Sequence, residues 1–192
     1  MGWHEVMGEL EEKLVGTLRG TYRPLDNVPF FRVQYPPVEE REALRQFRML
    51  TERLRHQHLG AESVSLLECL REALAALLNC PAEALESRLV ELEREQERPE
   101  LQSRLSKHLP AEMTKALTAR LKGMPRDSVA VLLRMGSLYP FLRPSSILSS
   151  LEGRIECAVV LPYPGTTLGA LLDAPPADPR GGYYRGEVIP WR

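Results

Sequence analysis

Two short apolar runs in the second half of the chain constrain its fold more than any other feature. Residues 128–133 (SVAVLL) and 157–161 (CAVVL) contain no charged side chain and no regular alternation of polar and apolar positions. A strand that is apolar on both faces belongs in the centre of a parallel sheet covered on both sides. The segment between the runs accommodates one short helix, at about residues 145–151, so the two runs predict a right-handed strand–helix–strand unit.

The prolines divide the chain into a helical middle and a strand-and-turn end. Of the 16 prolines, three lie within residues 38–124 and nine within residues 125–192. Because proline is excluded from most helix interiors, the middle can be mostly helical while the end must consist of strands and turns. We predict a single α/β domain over residues 1–192, with a helical insert at 82–123 and a Pro/Gly-rich strand–turn part at 124–192.

Hydrophobic periodicity predicts the helices. Apolar side chains recur at helical spacing over residues 3–19 and 38–58. Within the insert, further helices are predicted to begin at Pro81, Pro99 and Pro110, because proline suits the first turn of a helix. The exposed faces of these helices are rich in Glu and Arg, which is typical of a solvated surface.

The remaining strands are predicted from residue type. Aromatic and β-branched residues dominate residues 29–35, which we predict as the first strand. A second strand is predicted at 63–67, with helix following to about Leu78, although the sequence LLECLREALAALL also fits a helix. A last strand is predicted at 183–189. The predicted fold is therefore a three-layer α/β fold, a mostly parallel sheet with helices on both faces.

Charge, hydropathy and cysteine usage narrow the class of protein. Lys and Arg total 25 and Asp and Glu total 26, a formal net charge of −1, whereas nucleic-acid-binding domains usually carry a net basic face. No apolar run approaches the ~20 residues of a membrane span, so no membrane contact is expected. Cys69, Cys80 and Cys157 each lie among apolar residues and are predicted to be buried thiols, which indicates a reducing cytoplasm.

The sequence lacks recognisable catalytic and cofactor-binding motifs. It contains no G-x-x-x-x-G-K-[ST] phosphate loop and no G-x-G-x-x-G, G-x-S-x-G or H-E-x-x-H motif. The closest histidine pair, His56 and His58, is two residues apart, so on a helix the rings point about 200° apart and cannot chelate one metal together. The alternative is metal binding by this pair at a frayed helix end. We predict a protein that is not an enzyme and has no cofactor or metal site, with an unrecognised hydrolase as an alternative.

Aromatic and arginine side chains follow the strand at residues 128–133. They are Tyr139, Phe141 and Arg143. Ligands and partners of open α/β sheets favour the loops beyond the carboxyl ends of the strands. The two aromatic residues fit packing beneath a loop as well as contact with a partner. Arg143 fits a structural ion pair as well as recognition of a carboxylate or phosphate.

Two other segments are candidate binding sites. After the strand at 157–161, a Pro-Gly turn presents the backbone N–H groups of Gly165, Thr166 and Thr167 as a predicted anion nest. Close to the C-terminus lie residue types that are over-represented at binding hot spots. These are Tyr183, Tyr184 and Arg185.

The order of these motifs resembles the BrxB family, small components of the bacterial BREX (bacteriophage exclusion) defence system. The resemblance rests on G-x-x-Y-P-F-x-R at 136–143, the Leu-rich helix at 147–151, the Pro-Gly segment at 164–171 and the Tyr-Tyr-Arg at 183–185. The PFF sequence that begins at Pro29 also fits, so the resemblance spans nearly the whole chain. The sequence departs from the family pattern after the Pro-Gly turn, where two threonines follow and the aromatic residue expected nearby is missing.

The resemblance implies a cytoplasmic, non-enzymatic adaptor or scaffold that is required for phage restriction and for host DNA methylation. Its implied partners are other BREX proteins, a methyltransferase, ATPases and an alkaline-phosphatase-like protein called PglZ, with PglZ as the docking partner. By analogy of fold, the resemblance also implies a relative of ATPase cores without the phosphate loop. The alternative is a nucleotide- or DNA-binding regulator of the same complex, favoured by the arginine content and the predicted anion nest.

Overall fold

A five-stranded sheet in which all neighbouring strands are parallel forms the centre of the molecule. The computed structural model describes residues 2–139, 141–165 and 186–191. Within these residues the strands are Phe30–Tyr35 (β1), Gly60–Ser65 (β2), Ser128–Leu133 (β3), Ala158–Pro164 (β4) and Glu187–Ile189 (β5). Their spatial order is β2-β3-β4-β1-β5.

Helices cover both faces of this sheet. In the described part of the chain they are Trp3–Leu18 (α1), Glu40–His56 (α2), Leu66–Leu78 (α3), Leu85–Glu95 (α4), Arg98–Leu121 (α5) and Pro144–Leu151 (α6). One face packs against α1 and α2 and the other against α3, α5 and α6, which confirms the predicted three-layer α/β fold. None of the helices described combines the length and the apolar composition that crossing a bilayer requires.

The two apolar runs are the central strands, as predicted. All six residues of β3 are buried. Val129 and Val131 pack against the layer of α1 and α2, whereas Ala130 and Leu132 pack against the opposite helices. Alternate residues of a strand point to opposite faces, so a strand covered on both sides is apolar on both faces.

The second strand lies earlier in the sequence than predicted. It was expected at residues 63–67, but β2 begins at Gly60 and ends at Ser65. The Ser65 hydroxyl accepts a hydrogen bond from the Glu68 N–H (3.4 Å) and so caps the N-terminus of α3. A Ser followed three residues later by Glu is the sequence signature of such a cap, and it places the helix start at Leu66.

Pro110 does not open a separate helix, contrary to the sequence prediction. It lies inside α5, which continues from Arg98 to Leu121. An interior proline removes one backbone hydrogen bond and costs about 3 kcal/mol. The apolar stripe of α5 nevertheless continues through the proline and is buried along its whole length. Burying each such side chain contributes about 1.5–3 kcal/mol, so the summed packing outweighs the local cost.

The edge strand β5 is anchored through one carboxylate. Glu187 accepts hydrogen bonds from Lys13 Nζ at 2.7 Å and from the Tyr22 hydroxyl at 2.9 Å. It also accepts one from the Leu25 N–H at 3.1 Å. These contacts join β5 to α1 and to the turn before β1. Residues 183–185 of the predicted last strand lie outside the described residues.

We expect this anchor to weaken in acid. Burial by itself would raise the pKa of Glu187, but the hydrogen bonds from Lys13, Leu25 and Tyr22 outweigh burial and lower it. A lowered pKa in the folded state adds stability above the unfolded value of about 4.3, and this stability is lost as the pH falls through the folded pKa. Glu187→Gln should therefore lower the free energy of unfolding by about 1–3 kcal/mol at pH 7.

The measurement is chemical denaturation of the wild type and Glu187→Gln between pH 7 and pH 3. The difference between the two proteins should shrink as the pH falls, because protonated Glu187 and Gln are both neutral. Lys13 does not change the pH dependence of stability between pH 7 and pH 3. Its pKa is raised in the folded protein, so its contribution to stability is lost only in alkali. A difference that stays constant from pH 7 to pH 3 contradicts the prediction.

Candidate functional site

The carboxyl ends of three neighbouring strands meet at one edge of the sheet. In the register of the sheet, Tyr35 at the end of β1 lies beside Pro164 at the end of β4. The Gly165 N–H donates a hydrogen bond to the Tyr35 carbonyl oxygen (2.9 Å), which holds the Pro-Gly turn at this edge. Beyond β3 the chain turns sharply at Arg134, whose φ of +65° is left-handed. Binding sites in open α/β sheets form at this edge.

A cleft with a volume of about 550 Å³ lies between the loop after β3 and the end of β4. We call it the edge cleft and define it by Met135, Tyr139, Leu142, Arg143 and Tyr163. Tyr139 is 83% exposed, which is unusual for a large aromatic side chain. Arg143 is exposed and makes no ion pair with any residue that the structure describes.

The structure separates the predicted binding residues. Tyr139 and Arg143 share the edge cleft, but Phe141 is half-buried and points into the protein. It packs against apolar side chains of α3 and α5, among them Leu74 and Leu101. Phe141 therefore anchors the loop that presents the other two side chains. The assignment of these residues to a partner contact stays a prediction.

The other predicted sites fall mostly beyond the described residues. Gly165 directly follows β4 and has a φ of +137°. Its predicted companions in the anion nest, Thr166 and Thr167, lie outside the described residues, and so does the Tyr-Tyr-Arg segment at 183–185. Both groups stay predictions from the sequence.

A second depression was not predicted from the sequence. It is a groove of about 600 Å³ along the exposed face of α2. Its arginines, which define what we call the α2 groove, are Arg41, Arg45, Arg48 and Arg134. The first three follow the i, i+4, i+7 spacing of one helix face. This spacing is the feature of the sequence from which the groove could have been predicted. The fourth comes from the end of β3, so only the folded chain brings it to α2.

The α2 groove also carries carboxylates. Arg45 contacts Glu42 at 2.6 Å, and hydrogen bonds from Arg45 and Gln46 lower the pKa of Glu42 to about 2. Arg41 and Arg48 have no ion-pair partner among the residues described, and the same holds for Arg134. The groove therefore holds an excess of unpaired positive charge on a chain whose total charge is close to zero.

The connection from β1 to α2 is unsuited to phosphate binding. A phosphate loop needs glycines, free backbone N–H groups and a lysine between the strand and the helix. Here two consecutive prolines follow the strand, and acidic residues occupy the first turn of the helix. The Glu39 carboxylate accepts a hydrogen bond from the Trp3 indole (3.1 Å), and the Glu40 carboxylate accepts one from the Tyr35 hydroxyl (2.6 Å). Carboxylates thus occupy the position at which an anion would bind.

The titratable groups of the described part form no recognisable catalytic arrangement. Within residues 2–139, 141–165 and 186–191 there is no cluster of three His, Cys, Asp or Glu side chains that could hold a metal ion. Burial raises the pKa of Cys69 and of Cys157 to about 11, so both thiols are protonated and unreactive at neutral pH. Cys80 is only partly buried, contrary to the sequence prediction.

Comparison with known proteins gives one family match. A family model described as "BREX protein BrxB" matches residues 69–187, which is more than half of the chain. The matched range includes the edge cleft, whereas α2 lies before it. No curated protein shows a significant match.

Comparison with solved structures gives distant matches. A structure of Drosophila ORC bound to GC-rich DNA and Cdc6 is 18% identical, with a TM-score of 0.41 over 85% of this chain and 25% of that chain. A structure of Drosophila ORC bound to DNA is 20% identical, with a TM-score of 0.41 over 88% and 27%. This chain thus spans about a quarter of the chains it matches. The relationship to ATPase cores stays a prediction.

Proposed function

Because the chain belongs to the BrxB family and is therefore a component of the BREX phage-defence system, we propose that it acts as a non-enzymatic adaptor in the cytoplasm. In this role it docks on PglZ and is required for phage restriction and host DNA methylation. The observation that carries the proposal is the edge cleft, where Tyr139 is 83% exposed beside Arg143. Tyr and Arg are the residue types most enriched at the energetic centres of protein interfaces.

The edge cleft has the properties of a protein-binding site. Covering an exposed aromatic ring with a partner contributes about 2 kcal/mol, and an arginine without an intramolecular partner can donate two parallel hydrogen bonds to a carboxylate. The strands β3 and β4 and the half-buried Phe141 hold the loop that presents both side chains. A preorganised surface of this kind loses little conformational entropy on binding.

The arrangement of titratable groups also supports an adaptor. Nucleophilic catalysis by cysteine requires an exposed thiolate in an electropositive site, whereas Cys69 and Cys157 are buried with raised pKa values. The edge cleft contains an arginine and tyrosines, and among the described residues no carboxylate, histidine or cysteine lines it. General acid–base catalysis at neutral pH usually needs one of these groups.

Co-purification tests the proposal directly. The tagged full-length chain is co-expressed with PglZ and the other BREX proteins and captured at physiological salt. We expect a stoichiometric complex that contains PglZ and survives size-exclusion chromatography. Failure to capture any BREX protein would contradict the adaptor role, and capture of another BREX component without PglZ would reassign the partner.

The alternative is a nucleotide- or DNA-binding regulator of the same complex. The unpaired arginines of the α2 groove favour it, whereas the acidic β1–α2 connection disfavours a nucleotide at that place. A ligand that binds only the folded protein must raise its melting temperature. We expect millimolar MgATP and MgGTP to leave the Tm unchanged. A rise of several degrees with either nucleotide would favour the regulator.

A further inference from the structure

The α2 groove carries more positive charge than its own carboxylates neutralise. Arg45 is paired with Glu42. Arg41, Arg48 and Arg134 have no ion pair within the described residues, and all three are exposed. An unpaired guanidinium keeps its planar set of N–H donors for an external carboxylate or phosphate.

Apolar side chains lie among these arginines. Val38, which precedes α2, is 90% exposed, and Met49 on α2 is 42% exposed. Both line the groove, together with the half-buried Leu44. Exposed apolar side chains grouped with unpaired charges are typical of a surface that another protein covers.

Arg134 connects the groove with the edge cleft. It adopts a left-handed conformation at φ +65°, which is unfavourable for a residue with a Cβ atom. Its side chain lines the α2 groove, and the next residue, Met135, lines the edge cleft. The two depressions therefore lie on either side of one turn at the carboxyl edge of the sheet, the groove in the layer of α2 and the cleft beside the opposite layer.

We propose that the α2 groove binds an acidic segment of a partner protein, in which Asp or Glu side chains flank an apolar residue. The inference rests on the proposed adaptor function and extends it, because it assigns a second contact region and the chemistry of the partner. Charge complementarity supplies the argument: the unpaired arginines match the carboxylates, and Val38 and Met49 match the apolar residue.

A nucleic acid fits the groove less well than an acidic protein segment. Glu39, Glu42 and Glu52 line the same groove, and they would repel a continuous phosphodiester backbone. A sugar–phosphate backbone also offers less apolar surface to the exposed Val38 and Met49 than an apolar side chain does. An acidic polypeptide places its carboxylates at separate positions and can avoid the three glutamates.

The test combines partner capture with a defined acidic probe. The tagged full-length chain is compared with Arg41→Glu/Arg48→Glu and with the matched control Arg94→Glu/Arg104→Glu, which makes the same charge change on α4 and α5. Each protein is assayed for capture of co-expressed BREX proteins, and for binding of a fluorescent poly-L-glutamate peptide and a duplex DNA. A third variant, Arg134→Gly, removes one arginine and also relieves the left-handed strain.

We expect Arg41→Glu/Arg48→Glu to weaken partner capture and peptide binding about tenfold or more, with the control unchanged. Arg134→Gly should weaken binding while its Tm stays equal to or above that of the wild type, which separates a binding role from a structural one. Binding of the peptide should fall steeply with added salt.

The outcomes distinguish the groove from the adaptor function. If the wild type captures a BREX protein and Arg41→Glu/Arg48→Glu captures it equally well, the groove inference is overturned and the adaptor function stands. If the wild type captures none but binds the peptide through the groove, the adaptor function fails and the groove stands. Binding to neither overturns both, and tighter binding of DNA than of the peptide replaces the acidic protein with a nucleic acid.

Discussion

Tyr139→Ala/Arg143→Ala is expected to fold normally and to lose at least about 90% of its capture of PglZ. Tyr139 is 83% exposed, so its truncation leaves the core intact. Arg143 precedes α6, but its side chain makes no capping hydrogen bond. Truncation of a central Tyr or Arg at an interface often costs 2 kcal/mol or more. Each 1.4 kcal/mol is a tenfold change in affinity, so removal of both side chains lowers affinity more than tenfold.

The control for this experiment removes similar side chains at the opposite edge of the sheet. Arg23 and Leu25 precede β1 and lie at its amino end, where Leu25 is 61% exposed. Arg23→Ala/Leu25→Ala should capture PglZ like the wild type. Phage restriction and host DNA methylation should fall together in Tyr139→Ala/Arg143→Ala. Wild-type capture by this variant, with an unchanged Tm, would remove the edge cleft from the interface.

The layers of the fold were predictable because a sheet covered on both sides requires apolar residues in its central strands, and these are visible in the sequence. A strand buried on both faces is usually apolar, and the runs that became β3 and β4 contain no charged residue. The boundary of β2 was less clear, because Leu66 and Leu67 suit both a strand and a helix. The capping pair of Ser65 and Glu68 decides between them.

Elements that depend on tertiary packing were harder to predict. A proline at an interior position ends most helices. In α5, however, the stripe of buried leucines and methionine stabilises the helix on both sides of Pro110. The α2 groove was missed for a related reason. Arginines at helical spacing are usually a solvated face. The groove forms because Arg134, which is distant from α2 in the sequence, lies beside this helix face in the folded chain.

The candidate site was predictable only in part, because the exposure of its side chains also depends on tertiary packing. The loop after β3 was expected at the binding edge because carboxyl ends of parallel strands carry sites. The sequence could not distinguish Tyr139 from Phe141, since both are aromatic and two positions apart. In the structure one ring is exposed and the other packs against α3 and α5. The difference arises because the folded chain directs Phe141, but not Tyr139, toward α3 and α5.

Gly186 is the residue at which the C-terminal strand depends on the absence of a side chain. Its φ is +112°, a region that residues with a Cβ atom rarely adopt. A Cβ atom built there would lie 2.6 Å from the carbonyl oxygen of Phe30. That oxygen belongs to the first residue of β1 and cannot move without disturbing the sheet. Gly186→Ala therefore combines backbone strain with a clash against main-chain atoms.

The contacts that follow Gly186 show what its substitution displaces. Glu187 is hydrogen-bonded to Lys13 and Tyr22, and Ile189 is fully buried in the layer of α1 and α2. The Trp191 ring lies 5.0 Å from the Trp3 ring, in an edge-to-face arrangement. A shift of the backbone at Gly186 breaks this whole set of contacts at once.

We expect Gly186→Ala to lower the free energy of unfolding by about 2–4 kcal/mol, measured by urea denaturation at pH 7. Its matched control is Gly153→Ala, which has a φ of +72° but no atom near the added Cβ, so it should lose only about 1 kcal/mol. The fluorescence of Trp3 and Trp191 should shift in Gly186→Ala even in native buffer, because the rings separate when β5 detaches. Equal destabilisation of the two variants would mean that conformational strain alone, without the contact to Phe30, accounts for the effect.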